Sequence, residues 1–306
     1  MPHRPVTFLR KRRHRRVFLL YIFLSPALLV FLTYRLIPLG WNFVLSFQFW
    51  YPGKPTEFAG LYHYEEMLFY DQVFWQALWN TLYYMLSAPI AIALALGLAL
   101  LVHQSIRGRE VYRTIIFLSY PLMAIAVGVI WQWMFNEKVG LFNYLLRTVG
   151  VIDQPIGFLV KSASAMPSVM AAGIWQIVGF FMVILLTGLQ NIPENLYEAA
   201  KIDGANSWRR FFRITLPLLR PSIFLCLVIG IIASFTSFDL IFVMTNGGPG
   251  RATELLITYI YKSAFTLTKF DYAAALTVAM FLFFIVIAGL ANAATGGDAG
   301  KVDMTN

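Results

Sequence analysis

The side chains that could do chemistry are few and scattered. His3, His14, His63 and His103 stand far apart, and none joins other ligand types at the spacings a metal site needs. There is no G-x-S-x-G elbow to expose a nucleophile. There is no G-x-x-x-x-G-K-[ST] phosphate loop either, because neither Gly53-Lys54 nor Gly300-Lys301 is followed by Ser or Thr. What remains is noncovalent chemistry. Trp175-Gln176 sets an indole face beside an amide, an arrangement suited to stacking on and hydrogen bonding a polar ring. It suits ordinary helix packing equally well, with the amide bonding across helices. Ser234, Thr236 and Ser237 make a polar patch that either lines a pathway or satisfies carbonyls of its own helix. Asp239 is a carboxylate near the end of an apolar run. Deep in a bilayer such a charge points to function, whereas close to water it costs little.

One stretch is charged in an otherwise apolar context: "EAAKIDGANSWRRFFRITLPLLRP", from Glu198 to Pro221. Its pattern predicts two short helices. Asn191 and Pro193 suit a helix start, and Glu194 and Glu198 favour the positive N-terminal half of a helix. Asp203-Gly204 is a break, because glycine accepts the backbone angles of a turn. Ser207 can cap a second helix, on which Trp208, Phe211, Phe212 and Thr215 fall at helical spacing on one side. Arg209, Arg210 and Arg213 project elsewhere. This pattern fits an interfacial helix with aromatics in the lipid and arginines on phosphates. It fits a docking element for a cytoplasmic partner equally well.

The elements that must position these residues follow from composition. The chain of 306 residues is 59% hydrophobic and 13% charged, more apolar than a soluble domain. Uncharged runs approach the roughly 20 residues that cross a bilayer, and they are too long for the alternating strands of a membrane barrel. The expected architecture is an all-α polytopic membrane protein with six spans, at 17–39, 81–102, 112–134, 166–189, 221–243 and 272–290. The first is longer than a signal-peptide core and is followed by no small-residue cleavage pattern. The lone Cys226 forms no intrachain disulfide. The net charge of +9 does not indicate nucleic acid, because it is concentrated at membrane flanks. Arg4, Arg10, Lys11, Arg12, Arg13, Arg15 and Arg16 precede the first span, where they can also meet anionic lipid headgroups. With that end inside, sixteen Lys and Arg lie on the inner side and seven in the outer loops, with Arg35 in the outer half of the first span. The bias places both termini and the loop 190–220 in the cytoplasm. The chain divides into a basic cytoplasmic tail (1–16), a first span with its outer loop (17–76), a core of five spans (77–291) and a polar tail (292–306).

"EAAKIDGANSWRRFFRITLPLL" closely resembles the EAA signature of permease subunits of bacterial ATP-binding-cassette importers, through Glu198, Ala199, Ala200, Asp203, Gly204 and Ala205, then Phe211, Ile214, Leu216 and Pro217. "LSPALLVFLTYRLIPLGWNFVLSF", "NTLYY", "WQWMFNEKVGLFNYLL" and "FDLIFVMTNGGPGRATELLITYIYKSAF" are similar to the carbohydrate-uptake branch, the maltose and glycerol-phosphate type. The resemblance runs from about Phe18 to Leu290, and the final tail lacks that branch's short basic ending. It implies the type I importer permease fold in a bacterial or archaeal plasma membrane. It also implies a second, related permease, an ATPase dimer that holds ATP and Mg, and an extracytoplasmic solute-binding protein. No cofactor is expected in this chain, which would be no enzyme itself. Glu198, Ala199, Ala200, Asp203, Gly204, Ala205, Phe211 and Pro217 would couple to the ATPase, with Glu198 paired to a cation there. Trp175, Gln176, Ser234, Ser237 and Asp239 are the candidates for the substrate pathway. The cargo implied is a sugar or oligosaccharide, with glycerol-3-phosphate or a glycerophosphodiester as the alternative. A channel or membrane enzyme outside the family is the rival reading.

Overall fold

The computed structural model describes residues 21–104 and 107–294. The basic tail, the start of the first span and residues 295–306 of the polar tail therefore lie outside the described residues. The first helix, α1 (Tyr21–Leu45), contains a π-helical turn at Leu32–Leu36, and its apolar window buries nothing within the chain. A short hairpin follows, with Gln48–Phe49 (β1) paired antiparallel to Glu57–Phe58 (β2). Helix α2 (Tyr62–Glu65) runs into a π-turn, Glu66–Tyr70. The next elements are α3 (Gln72–His103), α4 (Arg109–Phe117), α5 (Ala124–Met134), α6 (Leu141–Thr148) and α7 (Ser162–Gln190). They are followed by α8 (Glu194–Ile202), α9 (Ser207–Leu218), α10 (Arg220–Thr236), α11 (Asp239–Met244), α12 (Leu256–Tyr261) and α13 (Phe270–Ala294).

Among the described residues four helices, α1, α3, α7 and α13, are long and apolar enough to cross a membrane, and α9 with α10 make a fifth candidate, bent by 63°. The continuous third span expected at 112–134 is instead two helices, α4 and α5, separated at 118–123. Pro121 sits in that gap. It lacks an N–H and pushes its predecessor out of the helical region. Met123 is extended, with φ −60° and ψ 132°. The fifth expected span also ends early. Ser237 leaves the helix with φ −76° and ψ 71°, and α11 starts anew at Asp239.

The core forms where α3, α7 and α10 pack together. Ala91, Ala95 and Ala99 of α3 are fully buried against a cluster that holds Phe181, Met182 and Leu185 of α7 and Cys226 of α10. Small residues on one helix let the partner backbone approach, which is how apolar helices gain packing energy in lipid. The closest approach is at Gly179 of α7, where a Cβ would stand 2.2 Å from the Ile116 carbonyl oxygen of α4.

Polar side chains tie together the end of the bundle where α3 begins. Asp71 caps α3 by accepting the Val73 and Phe74 N–H groups at 2.8 and 3.2 Å. Its other oxygen accepts from the Tyr259 and Tyr272 hydroxyls, each at 2.5 Å, so one carboxylate joins α3, α12 and α13. Burial, with the hydrogen bond to Asp71, pushes the Tyr259 hydroxyl well above the ordinary tyrosine range, so it stays a donor. Asn80 donates to the Arg251 and Glu254 carbonyls at 2.9 and 3.0 Å, and Lys262 pairs with buried Glu254 at 2.7 Å. His63 lies 3.6 Å from Asp271, which also accepts the Trp50 N–H at 3.1 Å.

A side chain at Gly179 must therefore push α4 away from α7. Gly179→Val should cost about 1–3 kcal/mol and lower the thermal midpoint of the detergent-solubilised protein. Gly97→Val should leave it unchanged, since a Cβ at Gly97 meets nothing within 4 Å. Equal midpoints for the two variants would refute this packing.

Candidate functional site

The breaks in α4–α5 and α10–α11 face α3 and α7 and leave a cavity of about 250 Å³ between them. Four of the five pathway candidates line it: Gln176, Ser234, Ser237 and Asp239. Trp175 does not. It lies on the outer side of α7, 40% exposed, edge-on to Trp131 at 5.8 Å, so the paired indole and amide of the sequence point in different directions.

The remaining candidates carry unequal loads. Gln176 donates its amide to the Leu122 carbonyl at 2.9 Å, satisfying a backbone group that the Pro121 break frees. Ser234 is nearly fully buried and bonds back to Gly230 of its own helix at 2.8 Å. Ser237 shares a hydrogen bond with the Tyr84 hydroxyl at 3.1 Å, bridging the α10 break to α3. Asp239 is exposed and, among the described residues, its carboxylate has no hydrogen-bond or ion-pair partner. It is also the only charged side chain on the described lining.

Two lining residues escaped the sequence reading. Tyr84 is the last residue of "NTLYY", and Tyr120 directly precedes the breaking proline. The Tyr120 ring stacks on Phe180 at 4.3 Å, with the planes 8° apart. An aromatic residue at a proline break was the available signal.

The charged stretch folds as helix, turn, helix. Asn191 closes α7 rather than opening α8, which starts after Pro193. Gly204 has φ +75°, its N–H donates to Lys201 O at 3.1 Å, and the Ala205 N–H reaches Ala200 O at 2.9 Å. This is a Schellman ending, in which the left-handed residue turns the chain while satisfying terminal carbonyls. The cap of α9 is Asn206, whose side chain accepts the Arg209 N–H at 2.8 Å, and not Ser207. The Ser207 hydroxyl instead accepts from Arg210 at 3.2 Å. The expected single aromatic face also splits. A π-turn at Phe211–Thr215 shifts the register, so Thr215 is buried and Phe211 half-buried, while Trp208 and Phe212 are exposed. A hydrogen bond of 2.9 Å from Tyr197 to Thr215 holds α8 against α9.

The coupling candidates fall into two sets. Glu198, Ala199, Asp203 and Gly204 are exposed, whereas Ala200, Ala205, Phe211 and Pro217 are half-buried. Among the described residues the Glu198 carboxylate has no partner. Ile202, at the end of α8, is 87% exposed.

This geometry, a bundle of apolar helices with a charged helix-turn-helix at one end, is that of a multi-span helical membrane protein. Residues 87–295 match the family described as the binding-protein-dependent transport system inner membrane component, and the chain belongs to that family. It is 35% identical over 271 residues to the probable ABC transporter permease protein YurN of Bacillus subtilis, covering 87% of this chain and 92% of that one. It is 33% identical over 275 residues to the trehalose/maltose transport system permease protein MalF of Thermococcus litoralis, covering 89% and 92%. It is also similar, at TM-score 0.79 and 26% identity over 94% of this chain and 98% of that one, to a chain of the bacterial alginate ABC transporter. That transporter was crystallised in complex with an alginate pentasaccharide-bound periplasmic protein. The chain is thus a multi-pass permease component with the type I importer permease fold, and ATP hydrolysis belongs to separate ATPase subunits. The rival reading as a channel or membrane enzyme outside the family is excluded by this membership.

The cap assignment is testable. Asn206→Ala should cost about 1 kcal/mol and speed hydrogen exchange at the Arg209 amide, whereas Ser207→Ala should leave that amide protected. Equal exchange in the two variants would refute the Asn206 cap.

Proposed function

We propose that this chain forms half of the translocation pathway of an importer for a neutral sugar or oligosaccharide. The observation that carries the cargo class is the cavity lining. It combines tyrosine rings, an amide and hydroxyls with one free carboxylate, Asp239, and has no Lys or Arg among the described residues. Sugar hydroxyls donate well to a carboxylate and stack on aromatic faces, while a phosphate cargo calls for basic groups. The lining therefore disfavours glycerol-3-phosphate and glycerophosphodiesters. Trehalose and maltose, named for one relative, agree with this reading, whereas the alginate of the similar transporter is an acidic polysaccharide.

Family membership supports the rest of the machinery. The lining of one chain encloses one side of a path, so a second, homologous permease supplies the other. An extracytoplasmic binding protein delivers the solute, as the periplasmic protein in the alginate complex illustrates for that transporter. An ATPase dimer holding ATP and Mg sits against the loop 190–220. We count six spans by joining α4 to α5 across the Pro121 break and running α10 through the Ser237 break into α11. Both termini are then cytoplasmic, in agreement with the Lys and Arg bias. Within the coupling loop, the unpaired Glu198 pairs with a cation on the ATPase, and Ala199 and Ala200 leave room for its backbone. Gly204 sets the angle between α8 and α9, and Asp203 and Ala205 complete the turn. Phe211 and Pro217 seat α9 against the ends of the spans, so ATPase closure moves α8, α9 and α10 as a lever.

Two measurements test this. Gly204→Pro demands φ near −65° where the turn needs +75°, so the variant should insert normally yet uncouple ATP hydrolysis from uptake in proteoliposomes. Glu198→Lys should do the same, and normal transport by either well-expressed variant would sink the coupling assignment. Asp239→Asn should raise the half-saturating solute concentration about tenfold, the scale of a lost hydrogen bond to a charged group, with basal ATPase activity unchanged. An unaltered value would remove Asp239 from the pathway.

A further inference from the structure

Behind the coupling loop lies a second cavity, of about 960 Å³, bounded by the ends of α3 and α7 and by α8 and α9. Its lining brings together Lys201, Arg210 and His103, with Glu194 as the only acidic residue on the described lining. Arg210 is incompletely used. One terminal nitrogen reaches Ser207 at 3.2 Å, but its Nε is buried without any hydrogen-bond partner. A buried guanidinium N–H left unpaired is costly, and an acceptor entering this cavity would satisfy it.

The adjoining surface indicates where such an acceptor comes from. Trp208 and Phe212 of α9 are 71% and 56% exposed, and their rings stack at 5.9 Å with the planes 13° apart. Beside this aromatic row runs a cationic one, Arg209 and Arg213, continued by Arg220. None of these three arginines has an acidic partner among the described residues. The helix that carries them continues across the 63° bend into spanning α10, so α9 lies where the spans end. Aromatic and basic rows side by side on a helix at that level are the signature of an interfacial element. Basic groups there draw anionic lipids.

We infer that the cavity behind α8 is a phosphate site for the headgroup of an anionic phospholipid of the inner leaflet. Lys201 and Arg210 hold the phosphate, and Trp208 and Phe212 sit among the acyl chains. A bound headgroup would fill the gap between α8 and α9 and stiffen the loop that meets the ATPase, making coupling sensitive to lipid charge. The inference rests on the cytoplasmic orientation proposed above. It depends neither on the cargo nor on the coupling role of Glu198, because its readout is lipid binding.

The test uses the full-length chain, purified in the complex with which it is expressed and stripped of lipid. Phosphatidylglycerol, phosphatidylcholine and inorganic phosphate are titrated separately and followed by native mass spectrometry. Quenching of Trp208 by brominated acyl chains is read against Trp208→Phe. Phosphatidylglycerol should bind more tightly than phosphatidylcholine, by about fivefold per cation engaged, and should quench Trp208. Lys201→Gln with Arg210→Gln should abolish the preference, while Lys138→Gln with Arg147→Gln, the same charge removed from another cavity, should preserve it. If the double variant fails to assemble, Lys201→Gln alone should remove about half the preference on a logarithmic scale. Equal binding of the two lipids, or a preference that survives the Lys201 and Arg210 changes, would overturn the site. Displacement of phosphatidylglycerol by millimolar inorganic phosphate would make it a soluble-anion site instead. Trp208 shielded from bromolipid until the partner subunits are removed would make the aromatic row a protein interface.

Discussion

In the bilayer core a backbone N–H or C=O has no water to turn to, so every interrupted helix needs a substitute partner from within the protein. The cavity exists because this chain interrupts two helices, and side chains of α7 and α3 bridge the gaps. The break at 118–123 exposes carbonyls, and Gln176 of α7 donates to the one at Leu122. The break after Thr236 is bridged by Ser237 bonded to Tyr84 of α3. Uninterrupted helices would close the same space with apolar side chains. The polar residues on the cavity wall are thus first a consequence of breaking helices in lipid and only then groups available to a solute.

The same constraint separates the rigid parts from the movable ones. Along α3 and α7 the contact is made by fully buried Ala91, Ala95 and Ala99 against large side chains, a close fit between uninterrupted helices. At the end of the bundle where α3 begins, Asp71, Asn80 and Glu254 fix α12 and the α13 start by bonds to hydroxyl groups, backbone carbonyls and the Lys262 ammonium. Around 190–220 the arrangement is sparse. One hydrogen bond, Tyr197 to Thr215, crosses between α8 and α9, with a large cavity behind it. The distribution of contacts leaves 190–220 freer to tilt than the core.

Apolar run lengths revealed the helices, because the length and hydrophobicity of a span are local properties. The helix-turn-helix of the charged stretch was legible for a similar reason: Gly204 and the acidic and basic residues around it carry their conformational preferences with them. The third span was misread as continuous because hydropathy does not register a break whose free carbonyl is capped from another helix by Gln176. The cap of α9 was displaced by one residue, since Asn206 and Ser207 are adjacent and both competent. The aromatic face was misdrawn because a π-turn changes the period on which the projection rests. Trp175 and Gln176 were paired by adjacency, yet consecutive positions on a helix point about 100° apart, so only one could face the cavity.

The two carboxylates Asp71 and Asp239 show how a structural charge differs from an available one. Both stand at helix starts, Asp71 capping α3 and Asp239 opening α11. Asp71 accepts four hydrogen bonds, which uses the acceptor capacity of a carboxylate and leaves nothing for a ligand. Asp239 accepts none from the described residues and opens onto the cavity. Sequence cannot separate them, because the difference lies in groups that arrive from far along the chain. Tyr259 and Tyr272 reach Asp71 from well over a hundred residues away. A charge whose partners the fold has already supplied is a fastener, and one whose partners it has withheld is free to meet what passes through.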